Sequence, residues 1–340
     1  MIDVAIIGGG VTGCATAAFL AEGGASVTLH EREAIGAGAS GRNSGIVQHP
    51  MDPALAELYE VSLELYASLG HGFELPAEPS GVLLVSEDAD ALRPDFEDAR
   101  TRFPALDPEW LDDVGAVEPT LATGVSAYRL NTGRPVGPTA ATRAWAERAR
   151  AAGARIEVGA AVRAADLQAG AVVVAAGPWS AEALGAELPV YANWGVVAQV
   201  RLPRPPRHAL EQAGIKALTE PGGAAGSLFS LVTTDGASAV GSTFDPAPPD
   251  PRRAVPAILA HAARFLPALA DTAVEHVRAC ARPLSADGRP LLGHLAGNVH
   301  LVTGHGAWGI TLGPASARLV ADAILSGDDA IPPPLRADRF

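Results

Sequence analysis

The stretch Gly8-Gly9-Gly10-Val11-Thr12-Gly13 constrains this chain more than any other. Before it, Asp3-Val4-Ala5-Ile6-Ile7 is a short apolar run of strand type. After it, Val11 to Glu22 repeats apolar residues (Val11, Ala15, Ala18, Phe19) at helical spacing. Ala25 to Glu31 reads as a second strand and ends in an acid eighteen residues after Gly13. A Gly-x-Gly-x-x-Gly turn alone is a weak signal, but between a strand and a helix, with an acid closing the next strand, it specifies a dinucleotide site. Gly8 permits the tight turn, Gly10 lets a pyrophosphate approach the backbone, and Gly13 lets the helix lie against the strand. The helix then aims its positive N-terminus at the phosphates, and Glu31 would accept a hydrogen bond from a ribose hydroxyl.

Three α/β stretches punctuate the chain, and 340 residues suffice for two domains. Thr139 to Ala152 reads as a helix, Ala154 to Val158 as a strand, and Ala171 to Ala176 as a buried parallel strand stopped by Gly177-Pro178. Val299 to Thr303 reads as a strand running into Gly304-His305-Gly306-Ala307-Trp308-Gly309, with a helix from Pro314 to Leu325. The intervening material differs. Pro53 to Leu69 and Asp88 to Arg102 read as helices and Gly81 to Ser86 as a strand. Glu118 to Pro138 reads as irregular and Pro246 to Pro256 as a loop before a helix over Val255 to Leu269. Val190 to Leu202, Ser227 to Thr233, Ser238 to Thr243 and Thr272 to Cys280 are strand-like runs between turns, which suggests an antiparallel sheet. The expected fold class is α/β. A Rossmann-like nucleotide domain is assembled from residues 1–48, 137–188 and 284–340. An inserted α+β domain with an antiparallel sheet comes from 49–136 and 189–283.

Composition excludes several classes. The net charge is −13, with a single lysine (Lys216) and no basic stripe, which argues against a nucleic-acid partner. No stretch has the length of a membrane span. The apolar N-terminus lacks the basic segment and cleavage site of a signal peptide, and a reducing cytoplasm fits best. Cys14 and Cys280 are too few for a disulfide framework. The histidines show no metal-ligand spacing, so no metal is expected. Oligomeric state is not encoded in any readable pattern.

Taken in order, the motifs resemble the glycine oxidase / D-amino-acid oxidase superfamily of flavoproteins along nearly the whole chain. They are Gly8-x-Gly10-x-x-Gly13 with Glu31, Gly38-Ala39-Ser40-Gly41-Arg42-Asn43-Ser44-Gly45, Glu118-Pro119-x-Leu121, Val173 to Ser180, Val240-Gly241-Ser242-Thr243, Arg282 to Pro290, and Gly304-His305-Gly306-x-x-Gly309-Ile310. The resemblance implies FAD as cofactor, bound by the nucleotide domain, with the inserted domain carrying substrate. Gly8, Gly10, Gly13, Glu31 and Arg32 would hold the ADP half, and Ser40, Asn43, Ser44 and Gly45 would follow the pyrophosphate and flavin. Val162 falls where the family contacts adenine, and Ala176 and Gly177 where a strand end meets the cofactor. Gly306, Trp308, Gly309 and Ile310 would border the isoalloxazine, with a helix N-terminus favouring the anionic reduced ring.

The implied chemistry is oxidation of the C–N bond of a small amine or amino acid by hydride transfer to flavin, giving an imine that water hydrolyses. The electron acceptor is oxygen or another oxidant. Arg282 stands where relatives bind a substrate carboxylate through two parallel hydrogen bonds. His305 lies beside the flavin by analogy, as a catalytic or a loop-fixing residue. Phe229 replaces a tyrosine and Ala307 an arginine of glycine oxidase-like members, and Trp308 adds an aromatic. These departures imply an apolar pocket of Phe229, Trp308 and Trp194 suited to a bulkier or cyclic amine. Cys280, seven residues before Asp287, matches a cysteine that the sarcosine oxidase branch links to FAD, so it is either a core thiol beside non-covalent FAD or a covalent attachment point. Two other functions stay open: an FAD-dependent 2-hydroxy-acid dehydrogenase, and a flavoprotein subunit of a larger complex.

Overall fold

Strand β1 (Asp3–Ile7) anchors the first of two large sheets. In the computed structural model, which describes residues 2–214, 226–328 and 330–340, β1 pairs in parallel with β2 (Ser26–Glu31), and β3 (Ile46–Val47) lies outside this sheet in a two-stranded ribbon. Further along are β4 (Val82–Ser86), β5 (Glu109–Leu111), β6 (Ser126–Leu130), β7 (Arg134–Pro135, the partner of β3), β8 (Arg155–Val158) and β9 (Ala171–Val174). They are followed by β10 (Val190–Val200), β11 (Ala209–Gln212), β12 (Gly226–Thr234), β13 (Ala237–Phe244), β14 (Val274–Ser285), β15 (Leu291–Ala296) and β16 (Val299–Thr303).

The first sheet has the order β15-β16-β9-β1-β2-β8, parallel apart from the β15–β16 hairpin. Its central strands are buried on both faces, which explains their unbroken Val/Ile/Ala runs. Helix Val11–Glu22 packs beside it, between helices Pro138–Ala151 and Gly309–Ser326. Ten of its twelve residues are buried, and Cys14, Ala15, Ala17 and Ala18 are small enough to admit two neighbours at once. Phe19 closes one side against the edge of Trp145, with centroids 5.3 Å apart.

The second sheet has the order β14-β10-β13-β12-β11-β4-β6-β5. All its pairs are antiparallel except β4 with β11, which run parallel, so the sheet is mixed where an antiparallel one was expected. Strand alternation divides its residues cleanly. Val196, Leu210, Phe229, Leu231 and Val240 face helix Pro251–Ala262 and the residues after it (Phe265, Leu266, Leu269), forming a dry second core. Val197, Glu211, Ser230 and Val232 face the other way, towards the first sheet.

Several local expectations change. The stretch 118–138 carries β6 and β7 in place of irregular chain. The helix after the proline-rich loop begins at Pro251, capped by Asp250, so only part of 246–256 is loop. Residues 39–42 form one helical turn inside the small-residue loop. The last helix starts at Gly309, five residues before Pro314. A proline interior to a helix removes an amide and leaves the carbonyl four residues earlier without its partner. Here that carbonyl belongs to Ile310, and the Tyr66 hydroxyl donates to it at 2.7 Å. On the same face, the Ala315 amide donates to Ser62 Oγ at 3.2 Å. Two polar side chains of helix Ala56–Ala67 therefore let the proline be absorbed. Among the described residues no helix is long and apolar enough to cross a membrane.

Candidate active site

Between the two sheets lies a cavity of about 610 Å³. It runs from the Gly8–Val11 turn, past the 38–46 loop, to the inner face of β10–β14. Every site residue expected from the sequence borders it except Gly13. Gly13 acts from behind: a Cβ there would collide with the Gly8 carbonyl oxygen, so the glycine is needed for helix Val11–Glu22 to sit against the turn. Gly8 itself has φ +112°, and a Cβ on it would come to 2.5 Å from the Ala175 carbonyl oxygen.

At the turn end, the first turn of helix Val11–Glu22 carries no acidic residue and Gly10 provides no side-chain cap. Ser40 Oγ accepts the Val11 amide at 3.0 Å, and the positive helix end otherwise opens onto the cavity. The Glu31 carboxylate accepts the Gly9 amide at 2.6 Å and the Glu33 amide at 2.7 Å, one on each oxygen. This pins it at the strand end and leaves each oxygen a further lone pair. The Arg32 guanidinium lies 4.2 Å over the Trp179 ring. Val162 stands on the neighbouring loop. Ala176 and Gly177 (φ +58°) close the end of β9, where Ser180 and Thr303 hydroxyls both donate to the Gly177 carbonyl, at 2.7 and 2.9 Å.

In the middle, Asn43 is spent on its own loop. Its Nδ2 donates to the Ala39 and Ser40 carbonyls (3.0 and 2.9 Å) and its Oδ1 accepts the Gly45 amide (2.8 Å). It shapes the wall through the backbone of Ser44 and Gly45. Opposite, Gly306, Trp308, Gly309 and Ile310 bring the N-terminus of the last helix to the cavity edge.

At the far end stands Arg282 on β14. Its guanidinium lies across β10 because Gly195 offers no Cβ, which would otherwise collide with it. It donates to Ser242 Oγ (2.5 Å), the Thr243 carbonyl (3.1 Å) and Asn193 Oδ1 (3.3 Å), and stacks 4.4 Å over the Phe244 ring. Among the described residues no carboxylate lies within ion-pair distance of it. Burial pulls its pKa below the ordinary arginine value, and a guanidinium stays charged regardless.

Three expectations meet corrections or constraints here. The Phe229 ring is 1% exposed and stacks on Phe265 in the core behind the sheet, with centroids 5.1 Å and planes 7° apart. A bulge between Ser227 and Ser230 sets that parity, so the inward-facing neighbours are Leu228 and Ser230 and not the Phe229 ring. His305 is 2% exposed, and its Nε2 meets Ser316 Oγ at 3.0 Å. Burial pushes its pKa down to about 4, which keeps the ring neutral near pH 7. Cys280 borders the cavity, yet burial raises its thiol pKa against the opposing fields of Arg282, Arg278 and Arg42.

Sequence reading missed Gln48 and Glu211, and named Ser242 only as part of the 240–243 motif with no role; all three are on the cavity wall. Glu211 sits in β11, a four-residue strand too short for a periodicity signal, between Leu210 and Gln212, with no motif around it.

Comparison with known proteins agrees with this geometry. Residues 3–323 match the family described as "DAO: FAD dependent oxidoreductase". The chain is 30% identical over 365 aligned positions to a glycine oxidase of Pseudomonas aeruginosa, covering 96% of each. The solved glycine oxidase of Bacillus cereus superposes with a TM-score of 0.82 at 26% identity, over 96% of this chain and 95% of that one. That of Geobacillus kaustophilus gives 0.85 at 24% identity over the full length of both.

Proposed function

The chain belongs to the DAO family of FAD-dependent oxidoreductases, and from that premise we propose that it oxidises the C–N bond of a small amino acid held by its carboxylate on Arg282. The residues present fit FAD. The helix end at Val11–Gly13, where Ser40 Oγ accepts the Val11 amide and no acid stands in the first turn, suits the pyrophosphate. The second lone pairs of Glu31 suit a ribose. The 37–46 loop and the 306–310 turn both line the cavity, where the isoalloxazine would lie. When bound, FAD supplies the two-electron acceptor that takes a hydride from the carbon bearing nitrogen.

The observation that carries the substrate reading is Arg282: a half-buried cation, fixed by neutral oxygens and an aromatic face, with an open side towards the cavity. Asp245 acts on the guanidinium through its field and not through an ion pair, and withdrawing a guanidinium from water without a contacting counter-charge is costly. An incoming carboxylate removes that cost and is oriented by the planar fork, while the Ser242 hydroxyl, which accepts from Arg282, donates to the Thr243 carbonyl at 3.2 Å. Leu228, Val232, Trp194 and Trp308 make the surrounding wall apolar, which suits an apolar or cyclic α-substituent. His305 acts here as a positioning residue, tying the 304–308 turn to the last helix through Ser316.

The test is anaerobic reduction of the bound flavin by a panel of glycine, sarcosine, D-proline, larger D-amino acids and 2-hydroxy acids. Bleaching by amino acids and not by hydroxy acids supports the reading. Bleaching by hydroxy acids alone overturns it, and a clear preference for glycine removes the apolar-pocket part.

A further inference from the structure

Opposite Arg282, the same cavity holds a pair of acceptors with capacity to spare, one of them a buried oxygen with no partner. Gln48 is 7% exposed, and its Nε2 donates to Glu211 Oε1 at 2.8 Å, while its Oε1 is buried with no hydrogen-bond partner. A buried orphaned acceptor is costly and rare in a folded protein. Glu211 receives that one donor and faces into the cavity beside it. The pair is held rigidly. The Gln48 main-chain N–H donates to Thr311 Oγ1 at 3.3 Å, and Glu118 fixes the chain entering β11 by accepting the Arg207 main-chain N–H at 2.9 Å.

Register places this acceptor station relative to Arg282. Glu211 is opposite Ser230, Ser230 is opposite Gly241, and the next residue, Ser242, holds the Arg282 guanidinium. The two charged groups thus end one row that crosses β11, β12 and β13, two strand spacings or about 10 Å. A cation-binding acceptor at one end and an anion-binding guanidinium at the other match the two poles of an amino-acid zwitterion.

Resting on the carboxylate reading above, we propose that Glu211, with Gln48 Oε1, receives the substrate ammonium and takes one proton from it. An ammonium has no lone pair to support departure of a hydride from the adjacent carbon, so one N–H bond must break first. The proton passes to a Glu211 carboxylate oxygen, forming O–H and leaving the electron pair on nitrogen. Glu211 is suited to accept it, because burial raises its pKa above the ordinary carboxylate value, against the hydrogen bond from Gln48. The titratable groups that face it are Tyr128, two strands away on β6, and Arg282 along the row. Leu84, Ser230 and Thr311 are neutral, and His49 turns instead onto Tyr59 and Phe103. The same acid would repel a second carboxylate, so dicarboxylic amines should be poor ligands.

The test compares two ligands on FAD-loaded protein through the flavin absorption spectrum: 2-aminoisobutyrate, which lacks an α-hydrogen and cannot be oxidised, and isobutyrate, which lacks the amine. Wild type should prefer the amino acid. Glu211→Gln should lose roughly 10- to 100-fold of that preference while binding isobutyrate as before, and the acidic limb of its kcat/KM profile should vanish. Gln48→Met should weaken the preference less and keep the limb. Equal binding of both ligands in wild type and variants, or equal loss of both in Glu211→Gln, overturns the proposal while leaving the Arg282 reading intact. Failure of both ligands to bind wild type overturns both.

Discussion

The Tyr66 hydroxyl donates to the Ile310 carbonyl at 2.7 Å, at the turn where Pro314 provides no amide. Because this turn lies at the start of the helix bordering the cavity, a core tyrosine and the cavity wall are mechanically joined. Tyr66→Phe leaves a buried carbonyl unpaired and should cost about 1–3 kcal/mol. Thermal denaturation should show a lower Tm for Tyr66→Phe and less loss in a Pro314→Ala background, where the amide is restored. An unchanged Tm in the single variant would count against this account.

Arg282→Leu should lower kcat/KM for amino acids by about 2–5 kcal/mol, roughly 30-fold to several thousand-fold. The FAD content of the purified protein should not change, since Arg282 stands at the end of the cavity away from the Gly8 turn. Arg282→Lys should recover only part of the loss, because an ammonium cannot reproduce the fork that reaches Ser242, Thr243 and Asn193 together. Steady-state kinetics with paired flavin quantification decides the point.

Phe229→Leu should act on stability and not on substrate. The stacked Phe229–Phe265 pair lies wholly in the second core. Replacement of the ring should cost on the order of 1–3 kcal/mol in urea unfolding, from lost volume and lost stacking. KM should move less than two-fold. A large KM change at unaltered stability would return the ring to the pocket.

Acid precipitation should release free flavin from both wild type and Cys280→Ser. The thiolate is the reactive form of cysteine, and burial raises the Cys280 pKa in spite of three neighbouring arginines. Yellow colour retained in the wild-type pellet and lost from it in Cys280→Ser would establish a covalent link instead.

His305 makes stability depend on acid. Its folded pKa of about 4 lies below the ordinary 6.5, so the native state favours the neutral ring. That contribution is complete above the unfolded pKa and is lost as pH falls from about 6.5 to about 4. The difference corresponds to about 3 kcal/mol. Tm measured across this window should fall more steeply for wild type than for His305→Gln, and parallel curves would exclude the effect.

The sequence by itself determined the nucleotide-binding half of this protein. Strand, glycine turn, helix and terminal acid are local features whose geometry follows from dihedral freedom, helix polarity and spacing. Gly8, Glu31 and the small-residue loop therefore fall where their order places them. Arg282 was singled out through the resemblance carried by its frame to Pro290, and the structure places it on the cavity wall. Only the tertiary structure decided what faces the far end of the cavity. One bulge in β12 sets which side of the sheet each residue meets, and a shift of one residue exchanges core for cavity. That shift hid the Phe229 ring behind the sheet and brought Ser230 forward. The meeting of Gln48 and Glu211, 163 residues apart in the chain, depends on strand order and on packing between two sheets. No local pattern encodes that contact, because its physical cause is the register of distant strands.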